Sequence, residues 1–347
     1  PGAMTAGAGQ ILLKASGLIA ENAVLVGSGP LLYLLADQMI QAGMPPKALV
    51  ETQRLSDLSA ASKHLFKALL KPASWQQLAY GRKLVRNIRK NAIPRYRGSD
   101  DIKILGEDCV EAISFFANGK KEVIACDTVL MHAGVMPNTA LTMSLQLSHY
   151  WNDDQACFQA VVDETGMTSA SDIYLAGDGA SIHGAEAAFM KGVVAAQGIL
   201  KTIDSSLLDV SGFQKNLSRL QSLIALRPFL DRAFPPSTSF RSPADETVIC
   251  RCENVTAGQI RDFAKKGCLG PNQAKAFGRS GMGPCQGRYC GVTVTEILAK
   301  ANDQSQEETG AYRIRSPLKP VTLGELASLA PNDDYEDPSA KLRKLTK

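Results

Sequence analysis

Short apolar runs and longer one-sided apolar patterns succeed one another along this chain, and their order predicts the elements. Asn22-Ala23-Val24-Leu25-Val26 is a buried-strand pattern that breaks at Gly27-Ser28-Gly29-Pro30, after which the apolar positions from Leu31 to Ala42 keep to one side of a helix. Lys47-Ala48-Leu49-Val50-Glu51 repeats the strand pattern, and a helical region follows around Leu65 to Asn91. Ile102 to Leu105, Val110 to Phe115 and Glu122 to Ala125, with Ala117-Asn118-Gly119-Lys120 between the last two, predict a meander closed by an Asn-Gly turn. Cys126 to Thr139 reads as a buried strand running into a Gly/Pro turn, and Ala185 to Leu200 and Phe213 to Arg232 read as helices. Phe234-Pro235-Pro236-Ser237-Thr238-Ser239 marks a boundary. Beyond it Thr256 is placed to cap a helix with Ile260, Phe263 and Ala264 on its apolar stripe, and another helix starts near Val292. Asp303 to Glu308 reads as a mobile loop.

At 347 residues, two or three domains are expected. With 45% hydrophobic and 21% charged residues the composition is globular, and a formal charge of +4 gives no argument for nucleic acid. Arg82, Lys83, Arg86, Arg89, Lys90, Arg95 and Arg97 recur largely at helical spacing, which predicts a solvated helix face. No apolar stretch approaches the length of a membrane span, and nothing at the N-terminus reads as a signal peptide. A cytoplasmic location is expected, at most peripheral to the inner membrane.

The chemistry concentrates in two places. Gly27-Ser28-Gly29 between strand and helix has the form of a nucleotide-binding turn, and Glu51, twenty-four residues after Gly27, lies near the offset at which a carboxylate meets ribose hydroxyls. Leu32 stands where the G-x-G-x-x-G pattern calls for its third glycine, so the readings are a bound NAD(P) or other adenine nucleotide, or a Rossmann-type domain kept for structure. Gly7-Ala8-Gly9, with no strand before it, reads as a connection. Near the other end, Cys250-x-Cys252 and Cys285-x₄-Cys290 are two tight thiol pairs separated by thirty-two residues. Two irons needing two thiolates each match that demand, so a [2Fe-2S] cluster is the first reading. Zinc also takes four thiolates, but a pair with one intervening residue is tighter than its usual spacing, and unliganded thiols are the third reading. Cys109, Cys126, Cys157 and Cys268 have no partner at ligand spacing, and His64, His132, His149 and His183 are isolated, so no catalytic residue is assigned.

Val248-Ile249-Cys250-Arg251-Cys252-Glu253-Asn254-Val255-Thr256 together with Gly283-Pro284-Cys285-Gln286-Gly287-Arg288-Tyr289-Cys290-Gly291 resembles the bacterioferritin-associated-ferredoxin type of [2Fe-2S] module. Asp172-Ile173-Tyr174-Leu175-Ala176-Gly177-Asp178 resembles the second flavin signature of two-dinucleotide flavoproteins, which implies a strand ending beside the flavin with Gly177 and Asp178 at its ribityl chain. A solvated aspartate in a strand-to-helix turn is the plainer reading. From Pro1 to about Leu326 the sequence resembles the A (alpha) subunits of opine oxidase, hydrogen cyanide synthase and heteromeric proline or hydroxyproline dehydrogenases.

That resemblance implies an α/β, Rossmann-like two-dinucleotide-binding flavoprotein with a small helical [2Fe-2S] domain. It divides the chain into a remnant connection from the FAD domain (1–16), an NAD(P)-binding-like Rossmann domain (17–134) and a second part of the FAD domain (135–200). A helical linker (201–247), the cysteine domain (248–300) and a tail (301–347), whose Arg/Pro segment from Tyr312 packs on a partner, complete it. The resemblance also implies an N-terminal FAD-binding unit that this sequence lacks, so an incomplete FAD site is expected, completed by another chain unless the product is truncated. The function implied is that of the electron-transferring subunit of a hetero-oligomer, whose FAD-dependent beta subunit oxidises a small amine or amino-acid substrate. An NAD(P)H-linked flavin and iron-sulfur reductase, or a non-catalytic metal-binding or assembly module, are the alternatives. Arg251 and Arg288 are candidates for offsetting the cluster's negative charge.

Overall fold

The computed structural model describes residues 1–329; the end of the expected tail, from residue 330, lies outside the described residues. Five parallel strands form the central sheet: β1 (Ala3–Thr5), β2 (Ala23–Gly27), β3 (Ala48–Glu51), β4 (Arg95–Arg97) and, after a three-stranded antiparallel meander of β5 (Asp100–Leu105), β6 (Ala112–Ala117) and β7 (Lys120–Ala125), β8 (Thr128–His132). Their order is β1-β8-β2-β3-β4, so the chain winds outward from β2 on one side and returns through β8 on the other. The crevice at that reversal, outside the strand ends, is where an open α/β sheet takes its ligand. Every residue of β2 is buried, as an apolar run in the middle of a parallel sheet must be.

Between the strands lie α1 (Ala6–Ser16), α2 (Pro30–Gln41), α3 (Leu55–Leu69) and α4 (Pro72–Lys90). Leu25, Leu32, Leu35, Met39, Leu49, Leu84 and Ile88 form the core on one face, while Val24, Val26, Val50, Ile113, Phe115 and Val129 join sheet to meander on the other. Gly27 is needed because β2 and β8 converge at their ends: its φ is 128°, and a Cβ there would run into the backbone carbonyl of His132.

Four expectations change. Residues 3–16, read as a connection, supply a strand paired in register with β8 and a helix capped by Thr5. The run Asp172 to Ala176 forms no ladder; its one bridge is Met167 with Tyr174, because among the described residues no longer strand lies beside it. Phe213 to Arg232 is two helices beyond α5 (Ala140–Ser144) and α6 (Ala185–Ile203), namely α7 (Val210–Ile224) and α8 (Arg227–Ala233), since Pro228 is tolerated only in a first turn. A hairpin of β9 (His149–Asn152) and β10 (Cys157–Ala160) precedes α6. The short α9 (Thr238–Arg241) leads into the cysteine module: β11 (Val248–Cys250), β12 (Val255–Thr256), α10 (Ala257–Lys265), α11 (Pro271–Gly278) and α12 (Gly291–Asn302). Its core is Val255, Ala257, Ile260, Cys268, Val294, Ile297 and Leu298 with two of the clustered cysteines. The expected mobile loop contains a helix, α13 (Gln306–Thr309), capped by Ser305 and Glu308 in turn.

Candidate functional site

Folding of the cysteine module brings the two thiol pairs together. Thr256 Oγ1 accepts from Gln259 N at 3.3 Å while Gln259 Oε1 accepts from Thr256 N at 2.8 Å, a capping box that fixes the start of α10 directly after the first pair. Cys290 stands at the N-cap of α12, where its side chain makes no capping hydrogen bond. Contacts form across the sequence gap: Cys250 neighbours Cys290, and Cys252 neighbours Cys285. Cys250 and Cys290 are buried, Cys285 is half-buried and Cys252 is exposed, so the centre runs from the module's core to its surface. No group of three or more His, Cys, Asp or Glu side chains converges on a single metal position among the described residues; the four thiols meet as two pairs.

The electrostatics differ between the pairs. Burial pushes Cys290 up to about 12, reinforced by the charges of Cys250 and Cys285. Burial also pushes Cys285 upward, yet backbone hydrogen bonds from Tyr289, Gly287 and Arg288, together with the neighbouring Cys252 thiol, hold it below the ordinary thiol range. A sulfur surrounded by main-chain donors is prepared to carry negative charge. Arg288 and Arg251 are exposed and form no ion pair among the described residues; the nearby Arg279 instead pairs with Glu253 at 2.8 Å.

Sequence reasoning missed Tyr312. It is 4% exposed, donates to Ser280 Oγ at 3.0 Å, neighbours Cys290 and lies under the Lys275 ammonium at 4.9 Å. The glycines expected to admit main-chain donors also make room for its ring: a Cβ on Gly281 or Gly287 would come within 2.6 Å of it, and one on Gly291 within 3.2 Å. Gly283 leaves space in the same way for Cys252. Of the segment expected against a partner, Tyr312 is buried inside the module, while Arg313, Arg315 to Pro317, Lys319 and Pro320 are exposed. Gly287→Ala, at φ 81°, adds backbone strain to that collision. Its expected cost is roughly 2–4 kcal/mol, read as lost amide protection in α12 by hydrogen exchange.

The second cluster surrounds Asp178, in the 3-10 turn Gly177–Gly179 ahead of α6. Asp178 Oδ1 accepts from His183 N at 3.0 Å. Lys191 Nζ donates to Ser181 O at 2.7 Å and Oγ at 2.8 Å, while Arg227 pairs with Asp231 at 2.6 Å and Gln155 donates to Asp231 at 2.9 Å. Burial and the neighbouring Lys191 and Arg227 charges push His183 down to about 4; burial lowers Lys191 to about 8 against the pull of Asp178. A buried imidazole below its unfolded value destabilises the fold fully below pH 4, and the penalty is relieved as pH rises from 4 to 6.5. His183→Gln is therefore expected to flatten the rise in stability across that window, which amounts to at most ~3 kcal/mol, in urea unfolding at pH 4.5 and 7. Lys191 carried a faint sequence signal, a lone charge in the apolar run Phe189-Met190-Lys191-Gly192-Val193-Val194.

At the Rossmann turn, Gly27, Ser28 and Gly29 are all buried. Glu51 is fully buried; its Oε1 accepts from Arg95 Nε at 2.9 Å and Nη2 at 2.5 Å, and Oε2 lies 3.4 Å from Arg97 Nε. Arg95 also donates to the Tyr33 hydroxyl at 3.1 Å. The predicted basic helix face thus ends at Lys90, because Arg95 and Arg97 belong to β4, where Glu51 takes them in.

Residues 78–197 match the pyridine nucleotide-disulphide oxidoreductase family and 244–329 the sarcosine oxidase A3 domain. The A subunit of opine oxidase from Agrobacterium tumefaciens (strain Ach5) is 40% identical over 95% of this chain and 65% of its own length. Its counterpart from Rhizobium meliloti (strain 1021) is 38% identical over 95% of this chain and 72% of that protein. This chain belongs to the opine oxidase A-subunit family. It spans about two thirds of the length of these family members. The same α/β fold occurs in L-proline dehydrogenase from P. horikoshii, with a TM-score of 0.62 and 17% identity over 94% of this chain and 54% of that one. The cysteine module lies within the A3 match, and Asp178, His183 and Lys191 lie in the oxidoreductase match, with Arg227 and Asp231 beyond it. No helix among the described residues is long and apolar enough to cross a membrane.

Proposed function

We propose that this chain is the electron-transferring subunit of a hetero-oligomeric FAD-dependent dehydrogenase, with Cys250, Cys252, Cys285 and Cys290 holding a [2Fe-2S] cluster. The observation that carries the reading is the meeting of two distant thiol pairs as Cys250 with Cys290 and Cys252 with Cys285. Two irons want two thiolates each, whereas one zinc wants four sulfurs around one point; the paired arrangement favours the first. When bound, such a cluster carries one electron at a time and so suits the division of a flavin's two-electron output.

The chain's own residues do the rest. Main-chain donors from Gly287, Arg288 and Tyr289 stabilise charge on Cys285, and the buried Tyr312 packs beside Cys290 and shields it from water. Cys252, with Met282 and Tyr289 exposed in the same module, provides a short way between the buried thiols and the surface. Asp178 and the open N-terminus of α6, where Gly184 offers no side-chain cap, suit the ribityl and ring end of a flavin. Oxidation of a small amine or amino acid belongs in this reading to an FAD-dependent partner subunit, and no side chain of this chain is assigned to that step.

Anaerobic purification followed by metal and sulfide analysis tests the proposal. About two irons and two sulfides per chain, with a low-temperature paramagnetic signal after reduction, are expected. Colourless protein with one zinc per chain overturns it.

A further inference from the structure

The Rossmann crevice raises a question independent of the metal centre: what occupies it. A dinucleotide would lie across the ends of β2 and β8, its pyrophosphate on the turn before α2 and its ribose at the end of β3. Each of these places is taken. His132, at the end of β8, puts its imidazole over the turn, so that a Cβ on Gly29 would lie 3.3 Å from Nε2. The hydroxyl of Tyr33, in the first turns of α2, accepts from Gln53 Nε2 at 2.9 Å and Arg95 Nη2 at 3.1 Å, which fills the ground beside Glu51. Glu51 gives Oε1 to two hydrogen bonds from Arg95, and its Oε2 lies within ion-pair distance of Arg97 Nε, at 3.4 Å, without a hydrogen bond.

Over these residues runs the segment after α8. Phe234 packs edge-on against Tyr33 with ring centroids 6.1 Å apart, Pro236 lies 3.8 Å from where a Cβ on Gly134 would be, and Phe240 packs on the Val24, Val26 and Val129 cluster. Both ends are anchored. Upstream, α8 packs along α3 and its Arg227–Asp231 pair is tied to Gln155; downstream, Arg241 Nε donates to the buried Glu296 of α12 at 2.5 Å. Ser28 Oγ, Glu51 Oε2, Thr52 Oγ1, Gln53 Oε1 and Arg95 Nη1 are buried without a hydrogen-bond partner, closed off from solvent by the protein around them, and water-sized molecules suffice for single polar atoms of that kind.

We infer that Phe234 to Arg241 is the resident occupant of the dinucleotide crevice, so that this chain binds neither NAD(H) nor NADP(H) and draws no electrons from them. The Rossmann unit then serves as the floor on which a strap is held between the Asp178 region and the cysteine module. This separates the chain from NAD(P)H-linked reductases that share its fold, and it holds whatever metal the thiols bind.

The test uses the whole chain and two readouts. Calorimetric titration with NADH and NADPH is expected to show no saturable binding up to roughly 1 mM, and a dissociation constant below about 100 µM for either overturns the inference. Limited trypsin digestion reads the strap through cleavage after Arg232 and Arg241. NADH is expected to leave that rate unchanged, and acceleration by NADH means that nucleotide displaces the segment and the inference fails. The double substitution Phe234→Ala with Pro236→Ala is expected to raise the rate roughly tenfold by freeing the strap. Unchanged cleavage in that variant, with the circular dichroism melt retained, shows that the crevice does not hold the segment and equally overturns it.

Discussion

Replacing the exposed Cys252 by serine is expected to strip the module of iron, lowering iron per chain by more than about tenfold and abolishing the visible absorption and the paramagnetic signal. The choice of residue matters. Cys250 and Cys290 are members of the hydrophobic core, with 2% and 1% of their surface exposed, so changing them disturbs packing and ligation together. Cys252 projects from the surface and touches Cys285, so serine there costs little packing while removing a thiolate. Cys268→Ser is the matching control. That thiol is buried in the same core and donates to Gly270 O at 3.5 Å, away from the two pairs, so its variant should lose stability and keep its iron. If Cys252→Ser retains colour and signal while Cys268→Ser loses them, the colour belongs to another site and the four-thiolate assignment falls.

The parts of this molecule legible in its sequence are those in which local chemistry and global fold agree. β2 was readable because a fully buried parallel strand must be apolar throughout, and the turn of the meander because Asn118 and Gly119 both adopt positive φ, 52° and 75°, as that hairpin turn demands. The spacing of the cysteines marked Cys250 and Cys252, and Cys285 and Cys290, as pairs, but not that the fold sets Cys250 beside Cys290 and Cys252 beside Cys285. What stayed hidden depended on neighbours distant in the chain. Nothing local distinguishes Tyr312 from a surface tyrosine; its role follows from vacancies at Gly281, Gly287 and Gly291 that only a large ring fills. The run Asp172 to Ala176 has a strand's composition, but a ladder needs a partner that composition cannot supply. Glu51 sits at the offset of a ribose ligand and also beside two arginines from β4, and only the parallel register of Glu51 with Arg97 shows that the arginines reach it.

That last pairing leads to the second large effect. Glu51→Ala is expected to destabilise the Rossmann unit by roughly 3–5 kcal/mol, because it leaves a buried guanidinium with no counter-charge. Arg95 bears the loss, with only 10% of its side chain exposed, whereas Arg97, at 46%, can turn to water. Adding Arg95→Leu to Glu51→Ala should therefore restore most of the lost stability, since the penalty lies in the stranded charge and a leucine fits the apolar surroundings of the Tyr33 ring. Urea unfolding followed by far-ultraviolet circular dichroism measures both variants. A carboxylate kept for ribose would behave in the opposite way: its removal would leave the unfolding midpoint in place and change only the affinity for a nucleotide. A single variant that melts early, and a double variant that does not, assign Glu51 to holding the sheet edge together; an unchanged midpoint in the single variant removes it from that role and reopens the crevice as a binding site.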